Sequence, residues 1–319
     1  MTNKERYRGL CESEGSAIPV FQQYWWMEAV CADKQWDVAL AADGNRILAA
    51  MPYMLRSRCG MRYIIQPQLT QFSGPCFFPP ADMAERRLAD FRYAACNQLI
   101  DQIEDLRFDY FCQRFSPVVT DWLPFHWRGY KQTTRYTYRI DDIADTERVF
   151  GNFDRGKERQ RRIRRIADNY EVDTAVNVDE FVRLHIDYWR SRGEKDTLSE
   201  DFMRRVITAA SDRGQGLTLG LRDGDGRLVA AWFAVYDDRC AHALLSAKAP
   251  DVTQADVSAL LVWRLIEALS LRTKAFDFEG SMEQSLAYFY SSFGARQVPL
   301  FEVSRVRNPL FNVALRIKK

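Results

Sequence analysis

Apolar positions in this chain follow two periods, one helical and one of strict alternation, and their order repeats. In the first half, Val20 to Cys31 carries apolar and aromatic residues at helical spacing, and Trp36 to Leu40 alternates like a strand. Asp43-Gly44-Asn45 has the composition of a hairpin turn, and Ile47 to Leu55 reads as the returning strand. Arg62 to Ile65 is a third strand, followed by a Pro- and Gly-punctuated loop from Gln66 to Pro80. Helical spacing returns from Ala84 to Leu106 through Leu88, Phe91, Ala95, Leu99 and Ile103. Phe108 to Phe111, Gly129 and the alternating run Thr133 to Ile140 close the half.

The second half keeps this order. Phe181 to Trp189 and Phe202 to Ala210 read as helices, and Leu217 to Leu221 as a strand. The turn Asp223-Gly224-Asp225-Gly226 is followed by strands at Leu228 to Tyr236 and Cys240 to Ser246. Val257 to Leu271 is a helix through Leu260, Leu261, Leu265 and Leu269. A short apolar strand then ends in Glu279-Gly280-Ser281, ahead of an amphipathic stretch, Ser285 to Phe293, Gly294, and a last alternating run, Val298 to Val306. The repeat predicts two α/β modules, residues 1–143 and 144–319, divided in the acidic stretch Asp141 to Glu147. Polar groups at the carboxyl end of a short buried strand mark where open α/β sheets place ligands.

Composition narrows the function classes. A chain of 319 residues that is 47% hydrophobic can bury one large core or two ordinary ones. The net charge of +2 excludes a polycation built for nucleic acid, so any electrostatic site must be local. The seven cysteines are an odd number with no C-x-x-C pair, against both a disulfide framework and a zinc site. His126, His185 and His242 lack ligand spacing and read as structural, so no metal is expected. The N-terminus has no apolar leader, and no apolar run approaches the roughly 18 residues of a membrane span, so a cytoplasmic protein is expected.

Charge is concentrated in one place. Between Arg155 and Arg165 lie seven basic residues and one acid, with arginine outnumbering lysine six to one. On a helix, Ile163, Ile166 and Tyr170 would line one face. The rest reads either as a solvated surface or as an anion site, and the arginine bias favours bidentate phosphate binding.

Two stretches together, "FDFEGS…FYSSFGA" near the C-terminus and the strand Thr134 to Asp141 with the basic run Gly156 to Ile166, resemble the FemAB-like branch of the GCN5-related N-acetyltransferase (GNAT) superfamily. The resemblance implies an α/β (α+β) fold of two tandem GNAT-like modules, each a mixed, mostly antiparallel sheet flanked by helices, with no coiled-coil arm. It also implies an N-acyltransferase with no tightly bound cofactor, whose co-substrate is acyl-CoA or aminoacyl-tRNA. The acceptor would be an amine of a small-molecule, nucleotide-linked or cell-envelope precursor, and a tRNA acceptor end is a possible partner. The alternative is a binding module that keeps the fold without a donor site. The turn Lys248 to Asp256 holds two aspartates and no glycine, and Tyr290 stands where Fem transferases often carry lysine.

Amine acylation names the residue types to look for. A primary amine with a pKa near 10 is only about one part in a thousand neutral at pH 7, so a base or a desolvated pocket must take its proton. Glu279 is the candidate base, or else a capping or ion-paired carboxylate. Tyr288 and Tyr290 are candidate acids, two residues apart and so on different helix faces. Arg161, Arg162, Arg164, Arg165, Lys248, Ser281 and, on the long loop of the first half beside a cleft between the modules, Gln71 are candidates for substrate or phosphate binding.

Overall fold

The computed structural model describes residues 1–32, 36–153, 158–194, 196–280 and 282–308. They fall into two compact units: residues 1–135 with the C-terminal residues from Pro299, and Tyr136–Val298.

Unit 1 opens with α1 (Asn3–Ser13), a helix the hydrophobic pattern did not reveal. Its start is written in a capping box, in which Thr2 accepts from the Glu5 N–H at 3.2 Å and Glu5 accepts from the Thr2 N–H at 2.6 Å. After α2 (Tyr24–Cys31) come β1 (Trp36–Asp43), β2 (Arg46–Arg58), β3 (Met61–Ile65), the short β4 (Cys76–Phe77), α3 (Glu85–Asp105), β5 (Tyr110–Arg114) and α4 (Leu123–Trp127). β1, β2 and β3 pair antiparallel, whereas β3 and β5 are parallel and joined by α3. Such a parallel pair needs a crossover, and α3 supplies it while burying Ala95, Leu99, Ile100 and Ile103.

β6 (Lys131–Ile140) carries the chain into unit 2. There follow α5 (Thr146–Gly151), α6 (Glu158–Ala167), β7 (Glu171–Asp173), α7 (Val178–Ser191) and α8 (Glu200–Asp212). The repeat then runs as β8 (Gly216–Arg222), β9 (Leu228–Tyr236), β10 (Cys240–Lys248), α9 (Ala255–Leu269) and β11 (Ala275–Asp277). α10 (Gln284–Ser291) and β12 (Arg296–Val306) complete the described elements. β8, β9 and β10 pair antiparallel and β10 with β11 parallel, the pattern of β1, β2, β3 and β5. Among the described residues no helix of unit 2 exceeds the 15 residues of α9, so none forms a coiled-coil arm, and no helix is long and apolar enough to cross a membrane.

The closing strands are exchanged. β6, which follows the first repeat, pairs with β11 of unit 2, at Phe276 with Ile140 and Asp277 with Arg139. β12, which follows the second, pairs with β5 of unit 1, from Glu302 with Arg114 to Val306 with Tyr110.

Two features of unit 2 set up its site. β9 is buried on both faces, which is why Leu228 to Val235 is an almost unbroken apolar run rather than an alternating one. β10 and β11 pair over Cys240–His242 and Ala275–Asp277, after which β10 shifts register against β9 between Ala243 and Leu245 and runs on to Lys248 paired with β9 but not with β11. The two parallel strands therefore part at their carboxyl ends.

Arg222 ties the edge of this sheet to α7, meeting Asp173 of β7 at 2.7 Å and Glu180 of α7 at 2.8 Å. The guanidinium holds the Glu180 carboxyl below its ordinary value of 4.5. A carboxyl with a depressed folded pKa contributes stability that is complete above the unfolded value and is lost as pH falls through the folded one. The melting temperature of Arg222→Met should therefore fall less steeply than that of the native protein between about pH 5 and pH 3. Calorimetry across that range checks this, and parallel slopes would contradict it.

Candidate active site

The parting of β10 and β11 opens onto a cavity of about 340 Å³. One wall is polar, with Lys248 at the end of β10, Thr253 in the following turn and Ser258 in the first turns of α9. The other is apolar and aromatic, with Trp232 from β9, Leu261 from α9, and Phe289 and Tyr290 from α10. Lys248 is half-buried, burial lowers its pKa, and among the described residues it meets no carboxylate. Gln254 caps α9 without a side-chain hydrogen bond, and the acidic residue in the first turn of the helix is Asp256, which is paired to Arg165 at 3.0 Å.

The turn after β11 forms a second part. Asp277 is 1% exposed, and its Oδ1 accepts the Glu279 N–H at 2.8 Å and the hydroxyl of Thr137 on β6. Glu279 and Gly280 both have φ of 65°, two successive left-handed residues. A Cβ on Gly280 would fall on the Tyr136 carbonyl oxygen and 2.9 Å from Thr137 Cα, so only glycine fits. For Glu279 the left-handed conformation costs about 1–2 kcal/mol, which the surrounding bonds must offset.

Tyr290 links the turn to the cavity. Its ring packs on Phe278 at 4.8 Å and Tyr138 at 5.8 Å. Its hydroxyl pKa is pushed up to about 12, first by burial and then by the carboxylates of Glu279, Glu283 and Asp277. The phenol is therefore a protonated donor at neutral pH. Tyr288 is 69% exposed on the opposite face of α10, where Gln284 donates to its hydroxyl at 3.3 Å. Of the two tyrosines, only Tyr290 reaches the cavity.

The basic run forms α6, packed on α9. Arg161, Arg162 and Arg165 line an open depression of about 410 Å³ with Glu158 and Asp256. Arg165 meets Asp256, in the first turn of α9, at 3.0 Å, while Arg162 reaches it at 3.8 Å and also pairs with Glu158. Arg164 points elsewhere, over the Phe150 ring at 5.2 Å. Arg159, which the sequence did not single out, lies over the rings of Phe289 and Phe293 and donates to Ser292 Oγ at 2.7 Å. Ser281 lies outside the described residues, and Gln71 is buried in unit 1.

Sequence spacing also missed a buried group. Cys240, His242 and Asp277 bring their ligand-type atoms within 4.8 Å of one another. Cys240 and His242 share a face of β10, and Asp277 joins them only because β11 pairs with β10 in a register that sets it beside His242. Trp232, within the apolar run of β9, is both buried and a cavity wall.

Residues 154–284 match the Acetyltransferase (GNAT) domain family. The matched segment lies within unit 2. Three solved structures share the fold over both units. FemX aligns with a TM-score of 0.72 at 10% identity, covering 98% of each chain. L-PGS from Bacillus licheniformis aligns at 0.60 and 11% identity, covering 98% of this chain and 95% of its own. A tandem GNAT protein from the clavulanic acid biosynthesis pathway aligns at 0.55 and 9% identity, covering 95% and 94%. At such identities the likeness is one of fold. No curated protein sequence matches the chain. The FemAB-like GNAT resemblance read from the sequence is borne out, as is the mixed α/β fold of tandem modules without a coiled-coil arm.

Proposed function

We propose that the GNAT domain transfers an acyl or aminoacyl group from an anionic donor, acyl-CoA or aminoacyl-tRNA, to a primary amine of a small-molecule or cell-envelope precursor. The observation that carries this reading is the polarity of the cavity. Lys248 makes one side positive. The carboxylates of Asp277, Glu279 and Glu283 act on Tyr290 at the other. An anionic donor and a cationic acceptor are thereby drawn to opposite sides.

The donor's phosphate lies against Lys248, Thr253, Ser258 and the first-turn amides of α9. Its acyl group enters the gap between β10 and β11, where the β10 edge beyond His242 is not taken up by β11 and offers N–H groups to the acyl oxygen. Glu279 takes a proton from the acceptor ammonium, and the freed amine attacks the acyl carbon. The tetrahedral intermediate expels the thiolate or ribose alkoxide, which takes its proton from Tyr290, and the tyrosinate takes back the second proton of the attacking nitrogen, leaving a neutral amide. Arg161, Arg162 and Arg165 serve a second phosphate, that of a nucleotide-linked acceptor or a tRNA end, which replaces Asp256 as their counter-ion.

The rival reading, a binding module without a donor site, is favoured by the turn before α9, which lacks glycine and places Asp256 in the first helical turn. Thermal-shift titration with coenzyme A, acetyl-CoA and an aminoacylated RNA minihelix separates the two. A bound donor stabilises the fold by about 2.7 kcal/mol at a hundredfold excess over its dissociation constant. A shift with one donor, followed by acyl transfer to an amine panel read by mass spectrometry, supports transfer. No shift with any of them supports the rival.

A further inference from the structure

Asp277 is a carboxylate at 1% exposure, a placement that costs several kcal/mol unless every bond is used. Two of its bonds converge on one purpose. Oδ1 accepts the backbone N–H of Glu279, and the same oxygen accepts from Thr137, whose own backbone lies against Gly280. The left-handed pair Glu279–Gly280 is thus gripped from β11 on one side and from β6 on the other. We infer that Asp277 is a positioning residue, which locks the Glu279 turn so that the Glu279 carboxylate stays beside Tyr290. This rests on the reading of Glu279 as the base.

His242 completes the support. It is 3% exposed and stands beside Asp277 in the parallel register, and burial lowers its pKa, so it stays neutral there. With Cys240 the group has three of the donors zinc uses. A structural zinc site takes four protein ligands, and among the described residues this buried group supplies three. The bonds on Oδ1 instead lead to the base, which makes the cluster a scaffold for the turn.

The test reads amide hydrogen exchange at Glu279 by NMR in the full chain, together with its zinc content. In Asp277→Ala the Glu279 amide should exchange about tenfold faster or more, while amides of β9 keep their protection. Asp277→Asn keeps an acceptor oxygen, so its exchange should return to within a few-fold of native. Turnover with the donor found by thermal shift should recover with it. Should Asp277→Ala fail to fold, Thr137→Val decides, because it removes only one bond from Asp277 and should still quicken the Glu279 amide. Native exchange in Asp277→Ala or in Thr137→Val, no recovery in Asp277→Asn, or equimolar zinc in the purified protein would each overturn the assignment. Glu279→Gln keeps its backbone bond and should exchange as native. Full turnover in Glu279→Gln would remove the base while leaving the grip of Asp277 on the turn intact, so the two failures are distinct.

Discussion

Glu279→Gln should lower turnover by about 10²–10⁴-fold, the usual worth of a positioned general base, with donor affinity unchanged. The substitution keeps the shape of the side chain and the Glu279 N–H bond to Asp277, and removes only the proton acceptor. Donor affinity is set elsewhere, by Lys248, Thr253, Ser258 and the α9 terminus. Steady-state kinetics with the donor identified by thermal shift would show the split directly. Retained turnover would make Glu279 a residue of the turn alone, and Tyr290 the next to replace.

Gly280→Ala should be the most destabilising single methyl in unit 2. Two costs combine. The left-handed φ costs an L-residue about 1–2 kcal/mol, and the new Cβ strikes backbone of β6, which is held by its pairing to β11. Together they should remove about 3 kcal/mol or more, lowering the melting temperature by roughly 6–12 °C for a unit of this size. Gly224→Ala is the matched control, because its added methyl would meet nothing within 4 Å. Equal melting temperatures for the two variants would mean that the turn is looser than its contacts imply.

Much of the fold was legible because each element carries its own period. β8, β9, β10, α9 and β11 lie where alternation and helical spacing put them, and Glu279 and Gly280 after β11 form a left-handed turn. What was not legible depends on partners distant in the chain. The alternating runs of β6 and β12 announce strands but cannot say that each pairs with the other repeat. Helix α1 is too polar to show a period, though its capping box was present in Thr2 and Glu5. The spacing of Tyr288 and Tyr290 showed that they divide between two faces, and only packing on Phe278 shows which one turns inward. The charge of α6 was plain, but its counter-ion Asp256 lies 91 residues beyond Arg165. The group of Cys240, His242 and Asp277 exists only through the parallel register of β10 and β11.

The most direct measurement is a calorimetric titration of the stabilising donor, coenzyme A thioester or aminoacylated minihelix, into the native protein and into Lys248→Met. Among the described residues Lys248 is the one cation on the polar wall and meets no carboxylate, so its loss should not disturb folding. Binding near one to one, weakened by about 1.5–3 kcal/mol in Lys248→Met at an unchanged melting temperature, is the expected result. Equal affinity in the two proteins, or no donor binding to either, would contradict the assignment of this cavity as the donor site.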